Sequence, residues 1–144
     1  YSIVLGGVTV LLLMTQGVLS LEPWYSPSYM IPLGGMIFAN CMNSISLSAE
    51  RLESELKQGQ TYEKAKVIAL RTSLIPITNM LLAVGLVSLP GMMTGQILSG
   101  VSPLIAVRYQ IMVMCMIFGS SGISAAVFLH SAKDSFTESQ NRFK

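Results

Sequence analysis

The chain has 144 residues, of which 51% are hydrophobic and only 11% charged, with a formal net charge of +2. A soluble domain carries roughly 25% charged residues, so a conventional water-soluble enzyme is excluded, and no basic stripe interleaved with aromatics marks a nucleic-acid partner. The sixteen charges are also unevenly placed. Nine fall within 50–71, five lie from Lys133 onward, Glu22 stands alone in the first 49 residues, and Arg108 stands alone in 72–132. Long uncharged runs separated by charged islands predict an all-α, polytopic transmembrane helical bundle.

The first run, about 3–21, is long enough for one span at 1.5 Å per residue. Its Gly6-Gly7 pair predicts packing against a neighbouring helix. The loop after it holds Pro23 and Pro27 with Trp24, Tyr25 and Tyr29, the composition of an interfacial aromatic belt. The chain starts at Tyr1 with no basic n-region before this run, and it is therefore expected to be the C-terminal part of a longer membrane protein. A second span is expected over about 29–49. Within it Asn40 and Asn43 share a helix face, and amides in hydrocarbon are costly unless they bond across helices or meet water. They therefore face either the translocation path, a dimer seam or a hydrogen-bonded helix contact, and all three readings point them inward.

The island 50–71 reads as solvated helix, with Arg51 and Glu55 four residues apart and Tyr62, Ala65 and Ala69 near one face. Gln58-Gly59-Gln60-Thr61 divides it, and Thr61 is placed to cap a second helix. Five Lys or Arg residues here and three in the tail 131–144 put both segments on the cytoplasmic side.

A third span is expected over about 72–98, interrupted at Pro76, Gly85, Pro90 and Gly91. Broken Gly/Pro-rich backbone at membrane depth is tolerated only where protein or a water-lined cavity satisfies its polar groups. Pro90, Gly91, Met92, Met93 and Gly95 are thus candidates for a path or hinge, or for a kinked packing segment whose Gly91 and Gly95 let helices approach closely. Ser102-Pro103 makes the next turn, and a fourth span is expected over about 104–129. Arg108 near its start is either an interfacial anchor or an inward charge. Gly119-Ser120-Ser121-Gly122 gives this span a small-residue face.

No enzyme constellation is present. There is one histidine, no Cys-x-x-Cys, and a single aspartate, Asp134. Gly95 and Gly100 have the spacing of a phosphate loop, but Val101-Ser102 follows where Lys-Ser/Thr is required, so the chain carries no nucleotide site of its own. Ten methionines raise the question of soft metals. Met112, Met114 and Met116 flank Cys115 on alternate positions that do not all share one helix face. Met36, Met42, Met80, Met92 and Met93 lie nearer the broken segment and the asparagines. Packing is the commoner use of the residue, and the pattern assigns no metal ligands.

The run Tyr29 to Asn43, then Gly85-Leu-Val-Ser-Leu-Pro-Gly-Met-Met-Thr-Gly, then Ser102-Pro103 and Tyr109-Gln-Ile-Met-Val-Met resemble the FetB-type permease family. The resemblance implies the membrane subunit of an ABC transporter linked to iron export in bacteria, with plant relatives in aluminium tolerance. It also implies a separate cytoplasmic ABC ATP-binding subunit holding the ATP, a homodimer in the bacterial inner (plasma) membrane, and no cofactor on this chain. Members have more than four spans, so N-terminal spans are expected to be missing here. The family's ATPase-docking segment matches Glu53, Leu56, Gly59 and Thr61, while Gln58 and Gln60 are more polar than the pattern. Two rivals stand beside this reading: a permease for an organic solute such as a nucleotide sugar, and a non-transporting membrane scaffold or stress sensor.

Overall fold

The computed structural model describes residues 2–18, 27–83 and 91–142. In chain order these form α1 (Ser2–Leu12) running into a π-helical turn (Leu13–Val18), α2 (Pro27–Lys57), α3 (Tyr62–Ala83), α4 (Gly91–Leu98) and α5 (Pro103–Arg142). No strand occurs among the described residues. Among the described residues three helices are long and apolar enough to cross a bilayer: Met30–Lys57, Tyr62–Ala83 and Pro103–Lys133. The expected first span appears as a shorter apolar helix, Ser2–Gly17. Trp24, Tyr25 and the loop around them lie outside the described residues, as do Gly85 and Pro90.

The helix boundaries differ from expectation in one instructive way. The charged island is no separate element: α2 continues past the expected span end at Ala49 to Lys57, and the helix that Thr61 was expected to cap begins at Tyr62 and runs on past Thr72 as α3. Charge marks where a span leaves hydrocarbon, not where a helix stops. Glu, Lys, Arg and Leu are good helix formers, and the pairs Arg51–Glu55 and Glu53–Lys57 support the extension at i,i+4. The same reasoning covers the tail, where the backbone stays helical to Arg142. Pro76 does not interrupt α3. Of the expected third span, the described residues give the end of α3 and the eight-residue α4, which packs against α5; the expected break at Gly85 and Pro90 lies outside the described residues.

Side chains meet in two apolar clusters. The larger joins Val10, Leu11 and Met14 to Leu33, Ile37 and Cys41 of α2, Ile77 of α3, and Val113, Met116 and Ile117 of α5. The smaller, beside the α2–α3 turn, comprises Leu52, Ala65, Ala69 and Leu129. Between them on each of the three long helices the buried positions are small, nearly all serines: Ser44 and Ser48 on α2, Ser73 on α3, and Ser120, Ser121, Ser124 and Ala125 on α5. Three of these hydroxyls donate to carbonyls one turn back in their own helix, those of Ile45, Leu70 and Ile117.

Small residues at this level have a physical reason. Lipid tails are as apolar as leucine, so helices in a bilayer associate through close van der Waals fit rather than hydrophobic transfer. The fit is tightest at the Gly6-Gly7 pair. A Cβ on Gly6 would lie 2.2 Å from Ser124 Oγ and 3.0 Å from the Ser124 backbone nitrogen, and one on Gly7 would lie 2.8 Å from the Phe38 ring. These glycines let α1 seat against α5 and α2, as the sequence led us to expect.

Candidate functional site: the turn between α2 and α3

The α2–α3 turn is built by its own sequence. Gly59 adopts φ of 81°, a left-handed conformation that costs other residues steric strain. Its N–H donates to the Leu56 carbonyl at 3.1 Å, and the Gln60 N–H donates to the Glu55 carbonyl at 3.2 Å. That pair of bonds is the Schellman arrangement, which satisfies carbonyls that the end of α2 would leave orphaned. Two residues later the Thr61 carbonyl accepts the Ala65 N–H at 2.9 Å and opens α3 as its N-cap. Two long helices thus meet through a connection with little slack.

The four expected docking residues converge on this turn but play different parts. Glu53 is exposed and pairs with Lys57 at 2.6 Å, a surface pair worth no more than about 1 kcal/mol. Leu56 is partly buried against the smaller cluster, whereas Gly59 and Thr61 are exposed. Nothing lies within 4 Å of a Cβ built on Gly59, so its outer side is open.

Two further residues here escaped the sequence reading. Tyr62 donates its hydroxyl to the Leu129 carbonyl of α5 at 2.5 Å, and Glu63 lies 3.6 Å from Lys133. Both tie the start of α3 to α5. Glu55 has a side chain only 6% exposed, with its carboxylate 2.5 Å from Arg51. A buried carboxylate depends on such a partner. The four-residue spacing signalled the pair, but nothing in sequence signalled its burial. Replacing Tyr62 by phenylalanine is expected to lower stability by about 0.5–1.5 kcal/mol, the net value of one hydrogen bond, readable as a lower melting temperature in detergent.

The expected path residues are more dispersed. Asn40 is partly buried and donates from Nδ2 to the Met36 carbonyl of its own helix at 2.8 Å. Asn43 is exposed, not inward. The buried line of α2 passes through Cys41 and Ser44, which leaves position 43 about 100° to one side. Among the described residues neither amide bridges to another helix. Gly91 and Gly95 are both exposed, with nothing within 4 Å of a Cβ on either, so among the described residues they form no close helix seam. Met92 packs against the larger cluster, and Met93 is partly buried. Pro90 lies outside the described residues. Arg108 is exposed rather than inward. Among the described residues there is no group of three or more His, Cys, Asp or Glu side chains able to hold a metal ion.

Long apolar helices joined by a charged, glycine-capped turn define a polytopic helical membrane protein. Comparison with known sequences gives the family. The model of the uncharacterised protein family UPF0014 matches residues 1–136, and the chain belongs to that family. It is 43% identical over 137 residues to a UPF0014 membrane protein of Synechocystis, covering 83% of this chain and 53% of the relative. It is 32% identical to the probable iron export permease protein FetB of Escherichia coli, covering 94% of this chain and 57% of that protein. It is 35% identical to the protein ALUMINUM SENSITIVE 3 of Arabidopsis thaliana, covering 78% and 46%. The chain spans about half the length of the curated relatives it matches. No solved structure matches it.

Proposed function

We propose that the chain is part of the permease subunit of an ABC-type transporter, driven by a separate cytoplasmic ATP-binding subunit. The permease works as a homodimer in the bacterial plasma membrane, with the α2–α3 turn and the end of α5 on the cytoplasmic side. Its cargo is a metal ion, and iron is the first candidate because one relative is named a probable iron export permease. One observation carries the coupling part of this reading: both helices entering the turn run without interruption into the apolar spans. A push on a tightly capped turn is therefore transmitted as rigid-body movement of α2 and α3, not absorbed by a loop. The Tyr62–Leu129 bond carries the same displacement to α5.

The test is assembly. A nucleotide-binding subunit is expected to co-purify with the full-length protein, and reversing the exposed charges Glu53 and Lys57 together is expected to leave the fold intact while weakening that complex. Failure to recover any ATP-binding subunit, with the permease itself intact in detergent, would overturn the reading and leave the scaffold alternative.

A further inference from the structure

Sulfur is concentrated in one of the two apolar clusters. Seven of the ten methionines lie within or against the larger one, which also encloses the free thiol of Cys41. The smaller cluster and the side chains packed on it consist of Leu, Ala, Tyr and Phe, without a sulfur atom. The same chain therefore builds one core without methionine and draws it into the other from the π-helical turn, α2, α3, α4 and α5.

Within the larger cluster Met112 and Met116 are four residues apart on α5 and share a face. Cys41 and Met36 come from α2, which packs along α5. The cluster offers thioether sulfurs and the Cys41 thiol, and thioether and thiolate sulfurs select soft ions. Unbranched methionine side chains also repack at low cost.

We propose that this cluster binds a soft monovalent cation of the Cu(I) or Ag(I) type, with Met112, Met116 and Cys41 supplying sulfur ligands. The Cys41 thiol gives up its proton to solvent as the ion binds. The site goes beyond the transport reading and stands without it.

The test is titration of the full-length protein with Ag(I), under reducing conditions in detergent, followed by calorimetry. A Cys115→Ser background removes the exposed thiol, which would bind the ion by itself. Binding is expected to weaken by at least about tenfold in the Met112→Leu/Met116→Leu double variant and in Cys41→Ser. Met42→Leu and Met93→Leu, outside the cluster, are expected to leave it unchanged. Leucine nearly conserves methionine's volume, and an unchanged melting temperature confirms that the variants are folded. No binding by the Cys115→Ser protein, or equal binding by the cluster variants, would overturn the proposal. Ag(I) binding by a full-length protein that recovers no ATP-binding subunit would uphold it while removing the transporter reading, and recovery of that subunit without Ag(I) binding would do the opposite.

Discussion

Replacing Gly6 by leucine is expected to detach α1 from the bundle and to lower stability by about 3 kcal/mol or more. A first carbon at that position already meets Ser124 Oγ at 2.2 Å. The hydroxyl could rotate away, but the Ser124 nitrogen at 3.0 Å belongs to the backbone of α5 and cannot yield without moving the helix. Overpacking of this kind costs about 1–3 kcal/mol for a few added methylenes, and leucine adds four carbons where none fits. In lipid the detached α1 gains no compensating loss of water contact, since its apolar face is solvated by tails. The readout is thermal aggregation in detergent. Gly6→Ala should be milder, and combining it with Ser124→Gly should recover part of the loss by removing the hydroxyl. Equal melting of Gly6→Leu and the natural protein would show that α1 does not seat against α5.

The second large effect is expected at Gly59, for a different reason. No neighbour crowds that position, so the cost of a side chain comes from the backbone alone. Valine at φ of 81° is expected to cost about 2 kcal/mol, because a left-handed conformation is worst for β-branched residues. The helix end would rearrange to relieve it, and the register between α2 and α3 would be lost with it. Asparagine tolerates this region far better. Gly59→Val is therefore expected to abolish stimulation of a partner ATPase while Gly59→Asn retains most of it. If both variants abolished stimulation alike, a direct contact of the partner with the bare glycine, not turn geometry, would be the cause.

Much of this architecture could be read before any coordinates. Uncharged runs announced an apolar helical bundle, of which three helices are long enough to span, Gly6-Gly7 announced a close packing site, and Ser102-Pro103 announced the start of α5. There Ser102 caps the helix through its carbonyl, bonded to Ile105 and Ala106, and Pro103 takes the first helical position. The turn chemistry at Gly59 and Thr61 was equally local, and so equally legible.

What sequence did not give depends on distant partners. Tyr62 is tied to a carbonyl 67 residues away, and the burial of Glu55 depends on how the bundle closes over the end of α2. The direction of Asn43 could not be known until the buried line of α2 was fixed by what packs on Cys41 and Ser44. Gly91 and Gly95 have the spacing of a helix seam, and among the described residues nothing lies within 4 Å of a Cβ on either. The methionines were legible in number but not in convergence, since five segments had to be folded together before they met.

Coupling between the α2–α3 turn and the spans is what would make this chain part of an ATP-driven permease. Its most direct test is ATP hydrolysis by the full-length permease reconstituted in lipid with its ATP-binding partner, measured with and without ferrous ion. Stimulation by the ion, lost in Gly59→Val and kept in Gly59→Asn, is the predicted result. Hydrolysis indifferent both to metal and to the turn would contradict it.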